Sequence, residues 1–201
     1  MMLTPPAAFS RADLDIAIIP VGSAFRRIYW AHHHDPLGFA KSESRFSDPR
    51  RRVEANRFGV LYLGSSLKVC FLEAVLRDRR DALVDELPLD EAELMARSVA
   101  AITPKRDLRL LDLRGDGPVR MGIPSEVVRG KRQSLARKWS LAFHEHGAGI
   151  DGIIYPSRLN GEHNVAVYDR AITALASMGT APLMKARGFV DILDDFKLAI
   201  R

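Results

Sequence analysis

The sequence predicts an α+β fold, in which one compact domain has a mixed β core flanked by helices. The chain has 201 residues, which is enough for one hydrophobic core, and its 47% hydrophobic and 27% charged residues are typical of globular proteins. Candidate strands and helices alternate irregularly, unlike the steady repeat of a parallel α/β sheet. We therefore expect a single domain over 1–201, with its core at about 25–170 and a closing segment at 171–201.

The first half of the chain is predicted to contain a strand, a long irregular segment, and then a regular strand and helix. The first strand is expected at about 25–30. Residues 59–64 form a glycine-bounded apolar run, which is typical of a buried strand. Ser65 and Ser66 are candidate N-caps for a helix from 67 to about 80, a stretch that contains neither glycine nor proline.

The second half is predicted to combine further strands with two helices. Apolar residues at helical spacing between 133 and 146 predict the first of these helices, and Gly147 supplies its C-terminal stop. The tail at 188–201 has an apolar face with the same spacing, which predicts a closing helix. Four strands are predicted in this half, at 94–102, 108–113, 150–155 and 165–168.

Cysteine, histidine and apolar content exclude several classes of protein. Cys70 is the only cysteine, so the chain cannot form an internal disulfide or a cysteine-based zinc site. The consecutive histidines at 32–34 point to opposite sides of a regular strand, and we expect no metal there. His144 lies in the last turn of a predicted helix, where a positive charge suits the helix dipole. Without a signal-peptide pattern or a run of about 18 apolar residues, we expect a cytoplasmic protein with no membrane partner.

Arginine supplies most of the positive charge. Of the 30 Lys and Arg residues 23 are Arg, and the formal net charge is +5. Guanidinium groups bind phosphate through paired hydrogen bonds, so this ratio suits a phosphorylated ligand or a nucleic acid, although GC-rich codon usage also produces it. Arg50, Arg51 and Arg52 support a rival hypothesis, a basic nucleic-acid-binding module. The chain has no glycine-rich loop of the kind that cradles phosphates, so arginines would have to hold a dinucleotide.

Two polar residues differ in character from the apolar elements that contain them. Glu73 is the only charged residue between Val69 and Leu76 on a helix predicted to be buried, and burying an unpaired carboxylate is costly. Glu73 either pairs with a distant arginine, or lies at the edge of the buried stripe, or is a carboxylate at the floor of a polar cleft. Ser157 follows a strand that Pro156 ends, and is either a turn serine or a functional side chain at a strand end.

Six short segments, taken together, resemble the RES domain. They are Phe-Arg-Arg-Ile-Tyr at 25–29, Arg-Phe-Ser-Asp-Pro at 45–49, Val-Leu-Tyr-Leu at 60–63, Phe-Leu-Glu-Ala-Val-Leu at 71–76, Tyr-Pro-Ser-Arg at 155–158 and Asn-Val-Ala-Val-Tyr-Asp at 164–169. This family is named after an arginine, a glutamate and a serine, and its members are toxins of bacterial RES-Xre toxin–antitoxin systems. The glutamate corresponds to Glu73, the serine to Ser157, and the arginine to Arg27 or its neighbour Arg26.

The resemblance implies a fold related to ADP-ribosyltransferases and an enzyme that uses NAD as a co-substrate without a metal. Its reaction would be cleavage of the nicotinamide–ribose bond, followed by transfer of ADP-ribose to a protein. Glu73 would be the catalytic carboxylate, stabilising the positive charge that develops on the ribose. Arg27 and Arg45 would hold the pyrophosphate, Tyr62 would stack on nicotinamide, and Ser157 would hydrogen-bond the carboxamide or the ribose.

The resemblance leaves the acceptor of ADP-ribose open and implies a protein partner. Transfer to water or phosphate would make the chain an NAD glycohydrolase or phosphorylase. Residues 50–55 look like an insertion beside the expected cleft, which favours a protein acceptor from the host. The implied partner is a cognate Xre-type antitoxin that covers the cleft, so any contact with nucleic acid would be indirect, through the antitoxin.

Overall fold

The computed structural model describes residues 3–50 and 53–201, and within them ten strands and six α-helices form one mixed fold. The main sheet contains β1 (Ile16–Ile19), β2 (Phe25–Trp30), β3 (Val60–Gly64), β5 (Arg97–Pro104), β6 (Leu108–Asp112), β7 (Gly152–Pro156), β8 (His163–Tyr168) and β9 (Leu175–Pro182), whereas β4 (Leu87–Leu89) and β10 (Leu198–Ile200) form a separate parallel pair. The helices are α1 (Leu67–Phe71), α2 (Glu91–Met95), α3 (Gly117–Arg120), α4 (Ser125–Arg129), α5 (Ser134–His144) and α6 (Phe189–Asp195). The predicted α+β class is confirmed.

The main sheet is mixed and is weakly joined at its centre. Its strand order is β1-β6-β7-β8-β3-β2-β5-β9, with β6 and β7 parallel and the other described neighbours antiparallel. Whereas β3 pairs with β8 along its whole length, and β2 likewise with β5, the described ladder between β2 and β3 consists of the pair Arg26–Gly64. The two halves of the sheet therefore diverge between β2 and β3.

The strand predicted at 94–102 begins later in the structure, at Arg97. Asp90 accounts for the difference, because its carboxylate accepts hydrogen bonds from the backbone N–H groups of Ala92 (2.7 Å) and Glu93 (3.4 Å). This side-chain cap starts the short helix α2 before the strand. The stretch predicted as one strand therefore contains the end of α2 and most of β5, because the cap at Asp90 starts a helix just before it.

The segment at 171–201 differs from the predicted closing helix. β9 adds this part of the chain to the edge of the main sheet, beside β5. The helix α6 ends at Asp195, and two residues later Lys197 has a φ of 48°, which turns the chain away from the helical path. The chain then continues as β10, which pairs in parallel with β4 and was not predicted as a strand.

The hydrophobic core lies on both faces of the sheet, because alternate residues of a strand point to opposite sides. From β3, Val60 contacts the cluster that contains Trp139 and Phe143 of α5, while Leu61 belongs to the cluster on the other face. A third cluster packs α1, α2 and α6 around Phe71. None of the helices formed by the described residues is long and apolar enough to cross a membrane.

His144 does not act as a charged partner of the helix dipole, which corrects the expectation from its place at the end of α5. Its ring stacks on Phe58, with centroids 4.2 Å apart, and contacts Tyr168 edge-on at 4.9 Å. Burial, together with a smaller effect of the nearby Arg170, lowers the pKa of His144 from 6.5 to about 4. The ring is therefore neutral at pH 7 and acts as an aromatic packing group.

The low pKa of His144 predicts a loss of stability in mild acid. The unfolded chain binds a proton at this residue near pH 6.5 and the folded chain only near pH 4, so the stability is complete above pH 6.5 and declines between these values. After discounting for the half-exposed ring, we expect a decline of roughly 1–2 kcal/mol from this residue. Urea titrations of His144→Phe between pH 7 and pH 4 should show a shallower decline than wild type. His34→Phe, in an exposed loop, should keep the wild-type slope, and an equal slope in both variants would contradict the prediction.

Candidate functional site

A cleft of about 480 Å³ opens where β2 and β3 diverge. Both strands line it, β2 with Arg27 and Ile28 and β3 with Tyr62, Leu63 and Gly64. This volume lies within the range of pockets that bind small molecules and cofactors. The other lining residues are Glu43, Ser44, Arg45, Cys70, Glu73, Ala74, Arg77, Asp78, Lys131, Gln133, Tyr155, Arg158, Leu159 and Asn164.

The corner between β3 and α1 places the helix directly against the cleft. Ser66 caps α1, since its hydroxyl accepts a hydrogen bond from the N–H of Val69 at 3.1 Å, as predicted for one of the two serines. A Cβ atom at Gly64 would lie 2.6 Å from both the Sγ of Cys70 and a methyl carbon of Val69. Glycine is therefore required at 64 for the helix to pack so closely on the end of the strand.

Glu73 lies in a π-helical turn, Leu72–Leu76, that extends α1. The N–H of Arg77 donates to the carbonyl of Leu72 at 2.7 Å, and Arg77 ends the turn with a φ of 48°. The helix predicted to continue to about 80 therefore ends four residues earlier, because the wider turn and the left-handed residue break its hydrogen-bond pattern. π-turns occur often at functional sites, and this one carries a carboxylate that lines the cleft.

The Glu73 carboxylate is exposed to the cleft, although the residues around it on the helix are buried. The hydroxyl of Ser157 donates a hydrogen bond to its Oε1 at 2.8 Å, and Nδ2 of Asn164 donates to the same oxygen at 3.2 Å. Ser157 and Asn164 are themselves buried. Of the alternatives that the sequence left open for Glu73, the structure thus has a carboxylate in a polar cleft, held by a hydroxyl and an amide.

The hairpin between β7 and β8 fixes Ser157 and links it to the start of α1. The N–H of Ser157 donates to the carbonyl of Glu162 at 2.5 Å, and its Oγ accepts from the N–H of Leu159 at 3.1 Å. The carboxylate of Glu162 accepts a hydrogen bond from the hydroxyl of Ser66 at 2.5 Å. The hairpin and the helix that carry the two polar groups are thereby held to each other by a chain of hydrogen bonds.

Arg27, and not its neighbour Arg26, lines the cleft. Successive side chains of a strand point to opposite faces, so only one of the two can do so. Arg27 donates from Nη1 to the carbonyl of Pro36 at 2.6 Å, and Arg26 donates to the carbonyl of Phe25 at 3.0 Å. Burial lowers the pKa of Arg27 and the nearby Asp35 opposes this effect, so the guanidinium stays charged in a partly desolvated position.

Arg45, from the loop after β2, and Tyr62, from β3, both line the cleft and are tied to that loop or to its surroundings by hydrogen bonds. Nη1 of Arg45 donates to the carbonyl of Gly130 at 2.9 Å. The hydroxyl of Tyr62 accepts from the N–H of Phe46 at 2.8 Å and lies 2.9 Å from the hydroxyl of Ser44, and burial raises its pKa. Tyr62 is therefore held by its hydroxyl while the residue remains half-buried and lines the cleft.

The rim of the cleft carries charged residues that the sequence did not single out. Asp78 lies 2.6 Å from a guanidinium nitrogen of Arg158 and 3.5 Å from the ammonium of Lys131. Three separate loops meet at this carboxylate, so no local pattern could have grouped them. Asn164 was also missed, although an asparagine within an apolar strand was a visible signal.

Arg50, the first residue of the insertion expected beside the cleft, does not line the cleft, and neither do residues 53–55. Arg50 forms a salt bridge at 2.5 Å with the buried Asp48, and a second with Glu145 at 3.1 Å. Burial acts to raise the pKa of Asp48, but hydrogen bonds from Arg50 hold it below its ordinary value. Arg50 therefore anchors its loop, whereas Arg51 and Arg52 lie outside the described residues.

The described residues contain no group of three or more His, Cys, Asp or Glu side chains that could hold a metal ion. Among the groups that line the cleft are the fixed carboxylate of Glu73, the aromatic ring of Tyr62, and the guanidinium groups of Arg27 and Arg45, each of which donates to a backbone carbonyl. Neither Arg27 nor Arg45 forms a salt bridge with a carboxylate of residues 3–50 or 53–201. Such an arrangement suits a ligand with phosphates at one end and a centre of developing positive charge at the other.

Comparison with known proteins assigns the chain to a family. The family model of the RES domain matches residues 23–184, which include every cleft residue discussed above, and the chain belongs to this family. A protein of Sinorhizobium fredii described as a probable toxin is 42% identical over 126 residues, which are 62% of this chain and 99% of that protein.

A solved structure has a similar fold. A chain in the crystal structure of the M. tuberculosis MbcT–MbcA toxin–antitoxin complex matches with a TM-score of 0.59 and 18% sequence identity. The match covers 90% of this chain and 91% of that chain. At this level of identity the similarity concerns the fold.

Proposed function

We propose that this protein is the toxin of a toxin–antitoxin pair and that it cleaves the nicotinamide–ribose bond of NAD. The observation that carries the proposal is the Glu73 carboxylate, held by Ser157 and Asn164 in a cleft whose walls present Arg27 and Arg45. The RES family membership and the S. fredii relative described as a probable toxin support the biological role.

The cleft residues suit NAD in size and charge. The volume of about 480 Å³ is adequate for a cofactor-sized ligand. Arg27 and Arg45 would bind the pyrophosphate, because guanidinium groups form strong charge-assisted hydrogen bonds with phosphate oxygens. Tyr62 would pack against the nicotinamide ring, and Ser157 would act on the carboxamide or the ribose in addition to holding Glu73.

The chemistry requires stabilisation of positive charge. When the bond between the ribose and the nicotinamide nitrogen breaks, the bonding electron pair leaves with nicotinamide, and the ribose carbon becomes electron-poor. Glu73 would stabilise this carbon by its charge and by accepting a hydrogen bond from a ribose hydroxyl. The acceptor then forms a bond to the same carbon and loses a proton, which completes the transfer of ADP-ribose.

A protein is the first candidate for the acceptor, and water or phosphate is the second. The described part of the insertion at 50–55 forms loop contacts away from the cleft lining, so it gives a protein acceptor no support. An NAD glycohydrolase or phosphorylase therefore remains the second candidate function. All three reactions break the same bond in the same cleft and differ in what attacks the ribose carbon.

The partner in this proposal is an antitoxin protein. The structural relative was crystallised as a toxin–antitoxin complex, which supports such a partner for this chain. We take it to be of the Xre type and to inhibit by covering the cleft, with nucleic acid contacted only through it. The rival nucleic-acid-binding module lacks support from Arg50, because both of its carboxylate partners compete with phosphate.

The test uses NAD labelled in its adenylate part, incubated with the purified protein, with and without cell lysate and phosphate. Whichever acceptor is used, nicotinamide release is expected under at least one of these conditions. Label on a protein band identifies an ADP-ribosyltransferase. Free labelled ADP-ribose identifies a glycohydrolase. A phosphorylated ADP-ribose that forms only when phosphate is added identifies a phosphorylase. If wild-type protein releases no nicotinamide under any of these conditions, the proposed function is wrong.

A further inference from the structure

Asn164 occupies an unusual place for its side chain. It lies on β8, which is flanked on both sides in the main sheet, and its backbone pairs with Gly64 of β3 and Tyr155 of β7. Asparagine is disfavoured in strands, and a buried amide must be hydrogen-bonded to avoid a desolvation penalty. The residue is 4% exposed and lines the cleft, and its side-chain amide donates to Glu73 at 3.2 Å.

We propose that Asn164 is a positioning residue that orients the Glu73 carboxylate for the proposed NAD cleavage, on which this inference rests. Asn164 and Ser157 both donate to Oε1, and none of the described residues hydrogen-bonds Oε2. Two donors on one oxygen prevent rotation of the carboxylate and leave the second oxygen free for the ribose.

The two donors differ in how firmly they are held. Ser157 follows the end of β7 and belongs to the hairpin, whereas Asn164 is fixed by backbone pairing on both sides. The amide therefore gives the carboxylate a reference point in the rigid sheet, and the hydroxyl completes the arrangement from the loop. Groups that orient a reactive residue in this way typically change its activity by about 10- to 100-fold when removed.

The test is nicotinamide release by Asn164→Asp measured from pH 5.5 to pH 8. A protonated carboxyl at this position can donate to Oε1 as the amide does, so activity near pH 5.5 should lie within about fivefold of wild type. At higher pH the introduced carboxylate and Glu73 repel each other, and activity relative to wild type should fall by at least about tenfold. Asn164→Ala should lower kcat by about 10- to 100-fold and change KM for NAD less than about threefold at every pH.

Asn56→Asp is the matched control, because Asn56 is exposed and lies outside the cleft, and its pH profile should equal that of wild type. Circular dichroism at pH 8 must show that Asn164→Asp is folded. A folded Asn164→Asp with the wild-type profile, or a folded Asn164→Ala with the wild-type kcat, would overturn the positioning role while the proposed function stands. If Asn164→Asp is unfolded at pH 8, the kcat of Asn164→Ala decides. Wild-type protein without nicotinamide release would overturn both.

Discussion

Replacement of Glu73 by glutamine is expected to lower nicotinamide release from NAD by about 10²- to 10³-fold. The substitution removes the negative charge that stabilises the electron-poor ribose carbon, and the loss of one such preorganised electrostatic group has about this effect in other enzymes. The side-chain amide oxygen can still accept hydrogen bonds from Ser157 and Asn164, so the site geometry should persist. The effect should appear in kcat, because the charge acts on the transition state more than on bound NAD.

The control for Glu73→Gln is Glu91→Gln, which makes the same chemical change at an exposed position outside the cleft. It should retain wild-type activity. Melting temperatures of both variants should stay close to that of wild type, since Glu73 is exposed and contributes little buried area. Nicotinamide release by Glu73→Gln at the wild-type rate would refute the catalytic role of the carboxylate.

Replacement of Arg27 by glutamine is expected to raise KM for NAD by about 10- to 100-fold. Hydrogen bonds to charged groups contribute about 1.5–3 kcal/mol, and each 1.4 kcal/mol corresponds to a tenfold change in affinity. Glutamine keeps a polar side chain with hydrogen-bond donors but carries no charge for the pyrophosphate. The effect should therefore appear mainly in KM, in contrast to the effect on kcat expected for Glu73→Gln.

The adjacent Arg26 offers a control within the same strand. Arg26→Gln removes an equal charge one residue away, from a side chain that does not line the cleft, and should leave KM unchanged within about twofold. Steady-state kinetics of the two variants at fixed ionic strength separate a specific contact from a general loss of positive charge. An equal rise of KM in both variants would assign the effect to net charge and contradict the role of Arg27.

Elements that depend on neighbouring residues could be predicted from the sequence. The glycine-bounded strand, the serine cap and the start of the following helix all agree with the structure, because a cap and a short apolar run act over a few residues. The predicted ends of helices and strands agreed less well with the structure. The π turn around Glu73 depends on the backbone of Arg77, and the strand β10 depends on a partner more than a hundred residues away in the chain.

For the candidate site, the sequence likewise predicted which residues take part but not how they are arranged. The residue types and their order identified the RES family and nominated Glu73, Ser157, Arg27, Arg45 and Tyr62, and all except Ser157 line the cleft directly. Ser157 reaches the site through its hydrogen bond to Glu73. The sequence could not decide between Arg26 and Arg27, because the side on which a strand faces a cleft is set by its neighbours in the sheet.

By itself, then, the sequence determined the fold class, the family and the chemical groups available for a reaction, since these follow from composition, short-range pattern and residue identity. Only the tertiary structure decided how the groups meet. The partners of Glu73 lie 84 and 91 residues away along the chain, and Arg50 anchors its loop partly through Glu145, which is 95 residues away. Hydrogen bonds and ion pairs between distant segments form only after the sheet has closed around them, and no local pattern encodes them.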